Sequence, residues 1–167
     1  MNGRHASREP ESIAKSWSAS SLLVHCTHML TSDDFNKRGA EYLPGHLGIV
    51  FTYIGTDEVR SELQIEKLHM APNGYLHAGT VVTLADTSCG YGCVVNLPSG
   101  ATGFTTIELK SNHLGTARDG TLECVAKAVH LGKTTQVWDA IVKHANTNKT
   151  IAHFRCTQMV LYGRSGA

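Results

Sequence analysis

The sequence feature that most constrains the fold is residues 80–95, a segment with the character of a helix and with apolar side chains on almost every face. These apolar residues are Val81, Val82, Leu84, Ala85, Cys89, Tyr91, Cys93, Val94 and Val95. Pro98 and Gly100 follow the segment and end the helix. A helix that is apolar all round is stable only where other elements bury it. The rest of the chain must therefore supply the elements that cover it.

The rest of the chain is predicted to consist mainly of strands. We expect strands over residues 46–54, 58–65, 104–112, 121–131, 136–145 and 151–161, separated by glycine- and asparagine-rich turns. A short helix capped by Thr31 or Ser32 precedes them. One long helix with strands on both sides in sequence predicts an α+β fold, in which a curved antiparallel β-sheet wraps around one central helix. It argues against a doubly wound sheet, in which helices alternate with strands.

The N-terminal part of the chain differs from the rest. Residues 1–28 are polar and serine-rich and show no sustained apolar period. Such a segment buries too little apolar surface to offset its loss of conformational entropy on ordering. We therefore predict a flexible extension over residues 1–28 and a single domain over residues 29–167.

Composition narrows the range of partners and compartments. The formal charge of +1 gives no reason to expect nucleic acid or an anionic membrane as a partner. No apolar run reaches the roughly 18–20 residues needed to span a bilayer, and the N-terminus lacks a secretory pattern. The five cysteines include no pair at CxxC spacing. We therefore predict a cytoplasmic protein with free thiols and no metal site.

Asp86 is the only charged residue of the central helix. Its neighbours at helical spacing, among them Thr83, Cys89 and Gly90, are small, which leaves space beside the carboxylate. A carboxylate on an apolar face is costly unless it is paired or used, so we predict a catalytic role. A purely structural role, in which Asp86 bonds backbone amides, stays open on the helix alone. Metal binding by Asp86 with His77 and His113 is disfavoured, because none of them form a ligand pair at a recognised spacing.

A glycine-containing loop runs from Gly74 directly into the start of this helix. Free backbone amides at a helix N-terminus point toward an approaching anion, and the helix dipole favours negative charge there. The amides of Ala78 and Gly79 are therefore predicted to hold a carbonyl oxygen as it becomes an oxyanion. Together with Asp86 they are the groups needed for attack on an acyl carbon.

The motif His77-Ala78-Gly79 followed by Leu84-Ala85-Asp86-Thr87 resembles the HGG…LAD segment of the PaaI-like hotdog-fold thioesterases. Residues 46–50 and 130–138 resemble segments of the related thioesterases of the enterobactin and menaquinone pathways. The resemblance implies a hotdog fold and hydrolysis of an aryl- or medium-chain acyl-CoA without a cofactor. It also implies a homodimer or homotetramer with the active site between protomers. Asp86 would act as general base or nucleophile, the Ala78 or Gly79 amide would polarise the thioester carbonyl, and His77 would support them.

Two positions depart from the pattern of this family. Members often carry Asn or Gln six residues before the histidine, where this chain has Ala71, and we expect Asn73 to replace it. Some members carry Ser or Thr four residues after the carboxylate, where this chain has Gly90. The predicted substrate-binding residues are Asn73, Gly90, Thr87 and His113. The alternatives are a hotdog domain that binds acyl-CoA without catalysis, or a hotdog dehydratase or hydratase, which needs a different loop pattern.

Overall fold

The computed structural model describes residues 30–163, so the predicted flexible extension over residues 1–28 lies outside the described residues. Two short helices come first, then two strands, a 3-10 turn, a long helix and four more strands. In chain order these elements are α1 (Ser32–Gly39), α2 (Leu43–His46), β1 (Ile49–Ile54), β2 (Glu58–Gln64), the 3-10 turn (Lys67–His69), α3 (Ala78–Val95), β3 (Ala101–His113), β4 (Thr121–Leu131), β5 (Thr135–His144) and β6 (Thr150–Tyr162).

The six strands form one antiparallel sheet in the order β1-β2-β4-β5-β6-β3. The helix α3 lies across one face of the sheet and contacts all six strands. Alternate residues of each strand point toward this helix, as Val59, Ser61 and Leu63 of β2 do. The predicted α+β architecture is therefore confirmed. No helix in the described part of the chain has the length and apolar character needed to cross a membrane.

Helix and sheet approach each other closely at Gly92 and Trp138. The indole of Trp138 is fully buried, and a Cβ atom built on Gly92 would lie 2.5 Å from its ring. Only a glycine at position 92 therefore lets the indole reach the helix backbone. Gln136 accepts a hydrogen bond from the indole N–H at 3.0 Å, so the ring is fixed at both ends.

Four cysteines lie between α3 and the sheet: Cys89, Cys93, Cys124 and Cys156. All four are buried and none is in a disulfide, in agreement with the free thiols predicted from the sequence. Burial raises the pKa of Cys93 to about 12 and that of Cys124 to about 11. These thiols therefore remain protonated at neutral pH and pack as small apolar groups.

The predicted element boundaries differ from the structure at three places. The prediction of a strand from His46 is wrong, because Leu43–His46 form α2, with Pro44 in its first turn, and β1 begins after Gly48. Gly48 has a φ of 68°, which turns the chain between them. The helix α3 begins two residues before the predicted start, and β3 begins three residues before its predicted start.

Candidate active site

The loop that leads into α3 is held in place by His69, a buried residue that sequence analysis missed. Its Nδ1 accepts the backbone N–H of Glu66 at 2.8 Å, and its Nε2 donates to the carbonyl of Leu47 at 2.9 Å. Its own carbonyl accepts the N–H of His77 at 2.9 Å and the hydroxyl of Thr80 at 3.1 Å. His69 thus fixes the chain immediately before the helix start. No spacing distinguishes it from the other nine histidines, so its role could not be predicted from the sequence.

His77 is the N-cap of α3. Its Nδ1 accepts the backbone N–H of Gly79 at 2.9 Å, so the neutral ring carries its proton on Nε2. The N–H of Ala78 has no acceptor within residues 30–163. All three residues are exposed. Of the two predicted oxyanion donors, the Ala78 amide is therefore the available one, while the Gly79 amide is engaged by the histidine.

Asp86 is half-buried in α3 and about 12 Å along the helix axis from Ala78, given a rise of about 1.5 Å per residue. The hydroxyl of Thr106 on β3 donates to its Oδ1 at 3.4 Å. Desolvation by burial raises the pKa of Asp86, and the Thr106 hydrogen bond opposes that rise in part. No cation among the described residues pairs with it. The carboxylate is thus held in a less polar setting by one neutral donor.

The predicted substrate-binding residues are distributed over three places. Asn73 is exposed in the loop, where its Oδ1 accepts the N–H of Tyr75 at 3.2 Å. Thr87 follows Asp86 in the helix, and its hydroxyl donates to the carbonyl of Thr83 at 2.7 Å.

His113 lies at the far end of β3, seven residues beyond Thr106 and so about 23 Å from it along the strand. The structure does not bring His113 near Asp86 within one protomer. Across residues 30–163 no three His, Cys, Asp or Glu side chains are grouped so that they could hold a metal ion.

Gly90 lies one helical turn beyond Asp86, under two side chains that sequence analysis did not connect with it. A Cβ built on Gly90 would lie 3.1 Å from the ring of Phe104 and 3.9 Å from Nε2 of Gln158. Gln158 on β6 is directly opposite Thr106 on β3, so both side chains lie on the face of the sheet that α3 covers. One sequence signal could have identified Gln158. It alternates with Cys156 and Val160 along β6, so a polar side chain was to be expected on the buried face of that strand.

Comparison with known proteins agrees with this fold. The family model of the thioesterase superfamily matches residues 73–151. The chain is 32% identical over 112 residues to the 1,4-dihydroxy-2-naphthoyl-CoA hydrolase of Escherichia coli, which covers 65% of this chain and 79% of that protein. A thioesterase structure from Haemophilus influenzae superposes with a TM-score of 0.76 at 26% identity, over 83% of this chain and 97% of that one.

The PaaI protein from the phenylacetic acid degradation operon of Escherichia coli superposes with a TM-score of 0.65. Its identity is 23%, with 72% of this chain and 84% of that one covered, so it supports the fold alone. The fold and these relatives define a thioester hydrolase of the hotdog class. The chain belongs to the thioesterase superfamily, as the HAG…LAD motif predicts.

Proposed function

We propose that this enzyme hydrolyses an acyl-CoA to the free acid and CoA, with Asp86 as the catalytic carboxylate. The observation that carries the proposal is a half-buried carboxylate on a helix with no other charged side chain, bonded by Thr106 and by no cation among the described residues. A carboxylate with a structural role is normally paired or fully bonded. Desolvation raises the pKa of Asp86 above the ordinary range, and a carboxylate with a raised pKa is a better proton acceptor in its ionised form.

Asp86 can act in either of two ways. As a general base it takes a proton from water as the oxygen attacks the thioester carbon, and the C–S bond then breaks to release CoA. As a nucleophile its own oxygen attacks that carbon, CoA leaves, and water then attacks the Asp86 carbonyl carbon of the resulting anhydride, which releases the acid. A single turnover in ¹⁸O-labelled water separates the two. The label enters the acid product directly in the first case, whereas one unlabelled Asp86 oxygen is transferred to the product in the second.

The oxyanion donor is proposed to be the amide of Ala78, aided by the positive end of the α3 dipole. Ala78 and Asp86 are roughly 12 Å apart along the helix. This distance is too long for both to act on one thioester, because the amide must lie about 3 Å from the carbonyl oxygen while the carboxylate acts at the carbon bonded to it. The tilt of helical side chains toward the N-terminus shortens this distance but does not close it. We therefore propose that Asp86 of one protomer works with the Ala78 amide of its partner.

The edge strand β3 supports this pairing. It is thirteen residues long and pairs only with β6 among the described strands, so its other edge is open. Ile107 and Leu109 on this strand are 54% and 44% exposed. An open edge with apolar side chains is a ready template for pairing with another chain. A homodimer, alone or as half of a homotetramer, covers this edge if the two β3 strands pair.

Two further points concern the substrate and the compartment. The E. coli relative is named a 1,4-dihydroxy-2-naphthoyl-CoA hydrolase, which supports an aryl acyl group here. Medium-chain acyl groups remain in the proposal, because the small residues Cys89 and Gly90 leave space near Asp86 and do not select an acyl group of one shape.

Free buried thiols support a reducing compartment, and we propose the cytoplasm.

The test of catalysis is Asp86→Asn, assayed by release of CoA from benzoyl-, hydroxybenzoyl- and octanoyl-CoA. We expect a folded protein whose rate falls at least about a hundredfold, the range for loss of a general base. Asp57→Asn, at an exposed turn carboxylate, is the matched control and should leave the rate unchanged. Most of the turnover surviving in Asp86→Asn would refute the role of Asp86. Binding of CoA esters without turnover by the wild-type protein would indicate the non-catalytic alternative.

The test of the shared site is complementation between two inactive variants. Light scattering should first give at least twice the 18.0 kDa of one chain. Co-expressed Asp86→Asn and Ala78→Pro subunits should then recover about a quarter of the wild-type activity, because half of the dimers are mixed and each has one intact site of two. No recovery from a confirmed mixed dimer would place both groups of one site in the same protomer.

A further inference from the structure

The side chain of Gln158 is fully buried in β6, and neither its Nε2 nor its Oε1 has a hydrogen-bond partner within the described chain. An amide buried in this way costs stability, because it loses its bonds to water and gains none. Native structures rarely retain such a group without a use for it. Gln158 therefore needs an explanation that the fold does not supply.

A second glutamine makes the contrast clear. Gln136 of β5 is directly opposite Gln158 in the sheet and is also fully buried. Its Nε2 donates to the carbonyl of Asn96 at 2.8 Å, and its Oε1 accepts the indole N–H of Trp138 at 3.0 Å. Gln136 thus ties the end of α3 to the sheet. Gln158, on the same face, makes no equivalent connection.

The position of Gln158 connects it with the proposed active site. It lies directly opposite Thr106, the residue whose hydroxyl contacts the Asp86 carboxylate. Its Nε2 is 3.9 Å from the point where a Cβ on Gly90 would stand, one helical turn beyond Asp86. Because residue 90 has no side chain, the helix leaves space beside the amide at this point, and the Phe104 ring occupies it. An acyl group attacked at Asp86 and lying along this face reaches Gln158.

The ring of Phe104 stands over the same point. Its Cζ would be 3.1 Å from a Cβ on Gly90, and the side chain is half-buried. Because the Gln158 amide has no exposed atom, an acyl group gains access to it only when this ring turns aside. The displaced ring then packs against the acyl group, which favours a flat, aromatic one.

We propose that Gln158 is a specificity-determining residue, whose amide hydrogen-bonds a hydroxyl or oxo substituent on the acyl group. This inference rests on the proposed acyl-CoA hydrolysis. A carboxamide both donates and accepts, so it matches a hydroxyl, which does the same. An acyl group without a polar substituent leaves the amide unpaired in the complex and is discriminated against for that reason. The enzyme therefore prefers hydroxylated acyl-CoA thioesters to unsubstituted ones.

The experiment compares benzoyl-CoA with 2-, 3- and 4-hydroxybenzoyl-CoA for the wild-type protein and for Gln158→Met, which keeps the volume and removes the amide. We expect the wild type to favour at least one hydroxylated isomer by tenfold or more in kcat/KM. In Gln158→Met the kcat/KM for that isomer should fall about 10- to 100-fold, while the value for benzoyl-CoA should stay the same or rise. The Tm of the free protein should stay the same or increase, since an unpaired amide has been removed.

Gln136→Met is the matched control for a structural glutamine. It leaves the Asn96 carbonyl and the Trp138 N–H without partners, so its Tm should fall and both classes of substrate should be affected alike. If Gln158→Met behaves in this way, or fails to fold, Gln158 is structural and the inference is wrong. Unchanged kinetics on every substrate would also overturn it. A wild-type protein that hydrolyses none of the CoA esters would instead refute the proposed function.

Discussion

Replacement of Thr106 by valine tests the electrostatics of the proposed site without touching the carboxylate. Valine has the shape of threonine and favours strands, so the edge strand β3 should be preserved. The change removes the hydrogen bond to Asp86 Oδ1. Because a donor to a carboxylate stabilises its charged form, the loss of Thr106 should raise the pKa of Asp86 further above its ordinary value.

The size of the effect follows from the length of the bond. Hydrogen bonds to charged groups are worth about 1.5–3 kcal/mol at good geometry. At 3.4 Å the Thr106 bond is longer than a strong bond to a carboxylate, so we take about 1 kcal/mol. That free energy corresponds to about a fivefold change in the ratio of protonated to ionised Asp86, in favour of the protonated form.

The assay is the pH dependence of kcat/KM for hydrolysis of an acyl-CoA. Activity depends on ionised Asp86, so it falls as pH drops through the Asp86 pKa. In Thr106→Val this acid limb should move to higher pH, with about a fivefold loss of kcat/KM on the acid side of the limb and little change at higher pH. Thr105→Val, at the exposed neighbour on the opposite face of β3, should not move it. A limb that stays in place in Thr106→Val would refute the assignment of Asp86 as the group that titrates.

Three further substitutions test the helix that carries the site. Ala78→Pro deletes the proposed oxyanion donor at a position in the first turn where proline is tolerated and the preceding residue is extended. Turnover should fall by about two to three orders of magnitude with KM little changed, and unchanged turnover in the folded variant would place the oxyanion site elsewhere. Asp86→Asn should raise the Tm at pH 7, because burial disfavours the ionised form, and differential scanning fluorimetry should show this gain shrinking as pH falls through the raised pKa. A Tm gain that does not depend on pH would contradict that explanation. Gly92→Ala places a Cβ against the Trp138 ring and should cost about 1–3 kcal/mol, lowering the Tm by several degrees. Gly103→Ala, where a Cβ meets nothing within 4 Å, is its control.

Local features of this protein were predictable from sequence. The helix α3 and its lone carboxylate follow from side chains three or four residues apart, and the junction at Ala78 follows from the loop that adjoins the helix. Six strands were expected and six are found between residues 30 and 163, because alternation along a strand is also local. The motif from His77 to Asp86 then led to the thioesterase superfamily.

Features that depend on strand pairing were not predictable. Thr106 and Gln158 come from strands far apart in sequence and meet only because β3 pairs with β6 at the sheet edge. Nothing in the sequence indicates that β3 lies beside β6 rather than beside β4. The helix α2 was missed because its four residues are too few to show a period, and the neighbouring Ile49, Phe51 and Ile54 gave the stretch the character of a strand.

The buried thiols make it possible to measure how often α3 separates from the sheet. A thiol reacts with an alkylating reagent as the thiolate, and burial both hides Cys93 and Cys124 and keeps them protonated. Reaction therefore requires α3 to separate from the sheet, so the rate of alkylation measures how often that happens. With Cys26 changed to serine, mass spectrometry of the four remaining cysteines would follow this opening. An acyl group that fills the space beside α3 should slow the alkylation, which makes substrate binding measurable even in a variant that no longer turns over.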